Sequence, residues 1–211
     1  MKITKFGHCC LLVEEREARI LTDPGVYSSA QDSVQNINAI IITHDHPDHL
    51  HTESLKTVLK NNPEVKIFTN ESVGKILTKE NIVFEVIQDN SQIEIAGIKV
   101  TSFNAPHEFI AESVPLPENT AFLINDKLLC AGDSFFVPTH SVEILALPVA
   151  GPWMKLSEAI AYAKKVAPKK AFPVHDGMLK VIGPVHKVPQ QELTAVGIEF
   201  FPLLSGEEII L

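Results

Sequence analysis

The stretch Thr43-His44-Asp45-His46-Pro47-Asp48-His49 places three imidazoles and the Asp48 carboxylate in one loop, directly after the apolar run Ala39-Ile40-Ile41-Ile42. Neutral imidazole nitrogen and carboxylate oxygen are suitable ligands for zinc, and a catalytic zinc keeps one position open for water. One loop cannot easily close two coordination spheres, so a two-metal hydrolytic centre requires further ligands from later in the chain. His107, Asp133 and His175 are the candidates: each follows an apolar, strand-like segment, the context that also delivers His44 and His46. Side chains at strand ends along one sheet edge can be gathered into a single rigid site.

The elements that would position them can be read from pattern. Residues 2–5 and 9–13 read as short strands around Phe6-Gly7-His8, and 18–22 returns as a strand ended by Asp23-Pro24-Gly25. Pro and Gly punctuate a strand in this way. Residues 26–38 are polar with little periodicity and read as a site-facing loop or a ragged short helix. After the His-rich loop, Leu55, Val58 and Leu59 have helical spacing, Asn62-Pro63 stops the helix, and 65–69 is a strand. Asn70 caps a second helix to about residue 78. This alternation is what βαβ units produce.

Strands then follow at 82–87, 92–96, 98–103, 120–124, 127–131 and 144–147, with hairpin turns at Ala96-Gly97 and Asn125-Asp126. Ser157 caps a helix through Val166, residues 171–174 form a strand, and 198–204 and 208–211 finish the chain as β-like segments. There is no repeat, low-complexity tract or linker, so residues 1–211 read as one domain.

Composition narrows the classes. The formal charge of −8 argues against a polyanion binder, because phosphate-backbone affinity comes mainly from Lys and Arg, so no nucleic-acid partner is expected. No apolar run reaches the roughly 20 residues of a membrane span. The N-terminus lacks a basic segment followed by an apolar core and cleavage site, and Cys9, Cys10 and Cys130 do not form a disulfide framework. A cytoplasmic protein is expected, with a homo-oligomer left open. Cys9 and Cys10 lie in an apolar stretch and read as small packing residues.

With these residues in place, the chain resembles the metallo-β-lactamase superfamily, whose signature is Thr-His-x-His-x-Asp-His, then a separate His, an Asp and a final His. Met1 to His8 followed by Ile20-Leu21-Thr22-Asp23-Pro24 looks like the opening of its small single-domain branch. That branch contains ascorbate-6-phosphate lactonase-like proteins and uncharacterised metal-dependent hydrolases. Ala131-Gly132-Asp133-Ser134 and Pro173-Val174-His175-Asp176-Gly177 are similar to its later motifs.

The resemblance implies an α/β fold, a four-layer αβ/βα sandwich with a metal site at one edge of two sheets. It implies two divalent ions, with zinc expected and manganese or iron sharing the same ligands. His44, His46 and His107 would hold one; Asp48, His49 and His175 the other; Asp133 would bridge. Asp23 resembles a carboxylate that orients a ligand His from behind, with turn capping as its alternative. Hydroxide shared by the metals would attack a carbonyl or phosphoryl centre of a small-molecule substrate, a lactone, amide or phosphorylated ester. Asp48 could also shuttle a proton to the leaving group. A thioesterase, a phosphodiesterase and a non-catalytic metal-binding protein are the alternatives.

His46 argues against the flavin-linked diiron redox members, and His49 against the typical antibiotic-cleaving ones. His8 has a substrate-contacting, proton-donating or purely structural role open to it. Trp153 could line the pocket mouth, or simply pack. His51, His140 and His186 read as structural or surface residues, and Glu108 as an outer partner of the site or a plain loop residue.

Overall fold

The central strands are buried on both faces, and their successive side chains enter two different packed layers. The computed structural model describes residues 1–28 and 30–211. The first half contains β1 (Lys2–Lys5), β2 (Leu11–Glu15), β3 (Ala18–Thr22), β4 (Ala39–Ile41), α1 (Thr52–Asn61), β5 (Lys66–Thr69), α2 (Glu71–Lys79) and β6 (Glu85–Val86). The second contains β7 (Gln92–Ile95), β8 (Ile98–Asn104), β9 (Thr120–Ile124), β10 (Leu128–Cys130), β11 (Ile144–Pro148), α3 (Leu156–Val166), β12 (Lys170–Val174), α4 (Gly183–Thr194) and β13 (Glu199–Phe200). A last strand, β14 (Glu208–Ile210), returns to pair with β1 in the first sheet.

Two mixed seven-stranded sheets result, ordered β14-β1-β2-β3-β4-β5-β6 and β13-β12-β11-β10-β9-β8-β7. Side chains on one face of each sheet meet in a shared core: Ile20, Ile41 and Phe68 from the first, Phe122, Leu128 and Phe172 from the second. The other face of each sheet is covered by helices. Leu55 and Val58 of α1 and Val73 and Leu77 of α2 pack on Leu21, Ile40 and Ile67. Ala159 and Ala163 of α3 and Leu193 of α4 pack on Leu123, Leu145 and Ala171. The layers are therefore helix, sheet, sheet, helix, the expected αβ/βα sandwich. Each fully buried Leu, Ile or Phe in these layers contributes roughly 1.5–3 kcal/mol.

Strand direction explains why chemistry collects at one edge. In the first sheet β3, β4, β5 and β6 run parallel, and β2 is antiparallel to β3. The ends of β1, β3 and β4 thus share one edge with the start of β2. In the second sheet β8 and β10 are both antiparallel to β9, while β10, β11 and β12 are parallel. The ends of β8, β10 and β12 accordingly share an edge as well.

The hairpin turns follow their residues. Ala96 and Gly97 have φ of 46° and 79°, and Asn125 and Asp126 have 54° and 51°. Two successive left-handed residues match the twist of flanking strands. Asn70 caps α2 as expected, its side chain accepting from Val73 N at 3.2 Å.

Four expectations need correction. The most substantial is α4, which falls where no helix was expected. Its buried residues are His186, Pro189 and Leu193, a helical spacing in which only one member is an ordinary apolar residue. Pro189 removes a backbone donor inside the helix. Second, α3 begins with Lys155, not Ser157, at its N-cap, and Glu158 accepts from Lys155 N at 2.7 Å. Third, the segments expected at 82–87 and 198–204 pair over only Glu85–Val86 and Glu199–Phe200, at or next to the sheet edges. Finally, His51, which the sequence places just inside the helix after the motif, stands at the N-cap position of α1 and makes no side-chain capping bond. Residues 26–28 and 30–38 are loop around one short 3₁₀ turn, Ala30–Ser33, and residue 29 of that stretch lies outside the described residues.

Candidate metal centre

The His-rich loop leaves β4 between the sheets and is held by three neighbours. Asp23, at the end of β3, accepts from Thr43 N through Oδ1 and from Thr43 Oγ1 through Oδ2, both at 2.8 Å. Asn70 donates to Thr43 O at 2.9 Å, and Thr120 N donates to the same oxygen at 2.9 Å. His49 N and Leu50 N close back on His46 O, which curls the loop so that its side chains converge. Gly25 lets it approach: a Cβ there would lie 1.8 Å from Asp48 O.

The structure brings the predicted residues together in two groups. His44, His46, His107 and Asp133 form one, and Asp48, His49 and His175, joined by His8, form the other; within each, the facing nitrogen and oxygen atoms lie within 4.8 Å of one another. Asp133 stands between them. Its Oδ2 is 3.5 Å from His107 Nε2, 3.9 Å from His44 Nε2 and 3.0 Å from His175 Nε2, while its Oδ1 is 3.1 Å from His49 Nε2. Asp48 Oδ2 is 3.4 Å from His175 Nε2. His175 itself has φ of 62°, a left-handed turn that ends β12 and aims the ring inward.

Whether these residues suit metal ions can be tested on their ring nitrogens. His107 Nδ1 donates to Glu108 O at 2.6 Å, and His49 Nδ1 donates to Asp23 Oδ2 at 2.8 Å. Thr43 Oγ1 gives its proton to Asp23, so it accepts from His44 Nδ1 at 3.0 Å. All three rings thus have Nδ1–H engaged, the orientation that presents Nε2 to a metal. Those three Nε2 atoms, together with Asp133 Oδ1, are buried with no hydrogen-bond partner. Leaving a buried polar atom unpaired costs about 1–3 kcal/mol. Several orphaned donors converging on one point therefore fit a site built for divalent cations.

The electrostatics agree. Burial, reinforced by His49, holds His44 well below its ordinary pKa, and burial with His107 lowers His46, so both are neutral at pH 7. Burial opposes ionisation of Asp133, yet the surrounding His49 and His175 overcome it and hold the carboxyl well below the usual range. Asp48 is likewise depressed, burial being outweighed by His8, His49 and His175. His49 goes the other way: burial opposes its charge, but its surroundings, including Cys9, Asp133 and Asp23, raise its pKa well above normal.

A raised imidazole pKa means that the metal-free chain keeps the His49 proton across neutral pH, and it is lost only as pH rises through that pKa. Metal on Nε2 must displace it. Zinc titration near pH 7 should then release about one proton from this residue, with affinity rising about tenfold per pH unit. Calorimetry in buffers of different ionisation heat measures it, and uptake without proton release would contradict this picture of His49.

Several residues take places the sequence did not specify. Of the two places open to Trp153, pocket mouth or packing, it takes the packed one: it is buried, with Nε1–H donating to Asp133 Oδ2 at 2.8 Å. Its position after β11 places it between His107 and His175, with ring centroids at 6.2 and 5.6 Å. Glu108 contributes its main-chain oxygen to His107, while its side chain accepts from Phe135 N. Asp23 supports His49, the outer role weighed for it.

Lys5 and Asp176, the residue after His175, form a buried ion pair at 2.6 Å, and His186 of α4 lies 2.6 Å from the other oxygen of Asp176. The residue types give no hint of this network, because Lys5 and Asp176 are 171 positions apart. His140 is exposed.

The Beta-lactamase superfamily domain matches residues 2–175. The chain belongs to the metallo-β-lactamase superfamily. It is similar to Protein Rv0786c of Mycobacterium tuberculosis, 35% identical over 85% of each chain. It is also similar to the UPF0173 metal-dependent hydrolase MJ1163 of Methanocaldococcus jannaschii, 26% identical over 99% of this chain and 100% of the other. The metallo-beta-lactamase fold protein YhfI of Bacillus subtilis has the same fold, with a TM-score of 0.76, 15% identity, and coverage of 99% and 98%.

Proposed function

We propose that this superfamily member is a dinuclear metal-dependent hydrolase of a small, uncharged carbonyl compound such as a lactone, ester or amide. The observation that carries the reading is the set of unpartnered Nε2 atoms of His44, His49 and His107 around Asp133. Two divalent ions held there, zinc, manganese or iron, would supply Lewis acidity and water with a pKa lowered towards about 7. His44, His46 and His107 would hold one ion, Asp48, His49 and His175 the second, and Asp133 both.

The protein's own groups support that chemistry. Asp23, Thr43 and Glu108 keep the ligand rings in the required tautomer. Trp153 fixes one oxygen of Asp133. Asp48 is partly exposed and ionised, so it can take up a proton at the open side of the site.

The surroundings favour an uncharged substrate over a phosphorylated one. The segment from His107 to Glu118 contains Glu108, Glu112 and Glu118 but no Lys or Arg. The buried cation nearest in sequence to His8, Lys5, is already committed to Asp176 and two main-chain oxygens. Exposed apolar surface comes from Phe109, two residues past His107, and from Tyr27, edge-on to His8 with centroids 5.4 Å apart.

The test is a panel of lactones, esters, amides, thioesters, phosphomonoesters and phosphodiesters given to metal-loaded protein. Cleavage of a carbonyl substrate, abolished by chelation and restored by metal, is expected. Preferential phosphoester cleavage would overturn the substrate class. Two bound equivalents with no cleavage would favour the non-catalytic metal-binding alternative.

A further inference from the structure

His8 belongs by position to the second ligand group, yet its hydrogen bonds set it apart from every other assigned imidazole there. Gly177 N donates to His8 Nδ1 at 3.1 Å. A ring nitrogen that accepts a hydrogen bond carries no proton, so the neutral ring has its proton on Nε2. That nitrogen faces Asp48 Oδ2 at 3.2 Å. His44, His49 and His107 have the reverse arrangement, with Nδ1 donating and Nε2 free.

We infer that His8 is a positioning residue, an outer donor that fixes the Asp48 carboxylate for the second metal position, and not a fourth ligand of that metal. The inference rests on the two-metal reading of the site. Ligation through Nε2 would require the proton on Nδ1, where it would meet the Gly177 N–H, donor against donor.

The surrounding fold enforces this arrangement. His8 is completely buried, its ring centroid 3.9 Å from that of His175, and its main-chain oxygen accepts from His175 N at 3.0 Å. Gly177 can come this close because it has no side chain: a Cβ there would lie 3.0–3.1 Å from His8 N, Cα and Cβ. Gly7 makes the turn that presents His8, with φ of 148° and no room for a Cβ, which would fall 2.3 Å from Tyr27 O. The Asp48 backbone thus lies close against Gly25, and its side chain is met by His8.

Two measurements test the inference. Long-range ¹H–¹⁵N correlation spectra of the histidine rings in metal-free and zinc-loaded wild-type protein should show His8 with its proton on Nε2 in both. A proton on Nδ1 in the zinc-loaded chain overturns the inference, since that is the pattern of an Nε2 ligand. Zinc titration of variants supplies the second readout. His8→Phe, which cannot donate, should weaken one of two equivalents by about 10–100-fold and leave the other unchanged. His8→Gln, which keeps an N–H in the position of Nε2, should restore most of that loss.

Wild-type affinity for both equivalents in His8→Phe contradicts the positioning role, as does a folded His8→Gln chain as weak as His8→Phe. A wild-type chain that binds a single equivalent counts against the two-metal reading instead, and the tautomer in the metal-free spectrum still decides whether His8 is the donor.

Discussion

Asp133→Asn should leave the chain folded, strip it of at least one of two metal equivalents and lower hydrolysis by more than about 10²-fold. The floor comes from outer partners of metal sites, whose loss typically costs 10–100-fold in affinity or activity, and Asp133 is placed closer than any outer partner. Its two oxygens face the ring nitrogens of four histidines, and no other carboxylate among the described residues does so. Asn preserves volume and one oxygen, but it replaces an anion at the junction of both groups with a neutral amide whose N–H₂ would confront imidazole nitrogens. Elemental analysis and initial rates on the same preparation measure both effects. Two retained equivalents with rates within about tenfold of wild type would contradict the role given to Asp133.

Asp23→Ala should produce the largest loss of stability. Asp23 is buried and accepts from Thr43 N, Thr43 Oγ1 and His49 Nδ1. Its removal leaves the Thr43 main-chain N–H and the Thr43 hydroxyl proton without acceptors and deprives His49 of a counter-charge. Breaking a buried charged pair by deleting one member costs about 3–5 kcal/mol. For a domain of this size that corresponds to a fall in melting temperature of roughly 6–20 °C. Thermal unfolding with chelator present isolates this from metal binding. A loss below about 1 kcal/mol would mean that Asp23 only turns the chain. Asp23→Asn, which retains an acceptor but not the charge, should fall between the two.

The site was legible where ligand chemistry coincides with strand ends. Thr43 to His49 follows an apolar run, and His107, Asp133 and His175 follow others, so a scaffold that aligns strand ends gathers them. The layers were legible for a related reason: unbroken apolar runs such as Ala39–Ile42 and Ile144–Leu147 and the Leu55–Val58 spacing of α1 are local signals. What stayed hidden depends on contacts distant in sequence or on atypical residues. The tautomer of His8 is set by Gly177, 169 positions away. The hydrogen bond from Trp153 to Asp133 requires β10 and β11 to be laid side by side first. The packed face of α4 is made by His186, Pro189 and Leu193, so hydrophobic periodicity gives almost no signal for a helix. His186 itself is drawn into the core by Asp176, which no local pattern reveals.

The most direct test is to place the metals. Crystals of the metal-loaded protein, measured at the absorption edge of the bound element, should show two anomalous peaks on either side of Asp133, about 3.5–4 Å apart. One should be ringed by His44, His46 and His107, the other by Asp48, His49 and His175. A single peak, or two peaks that do not share Asp133, would contradict the dinuclear centre.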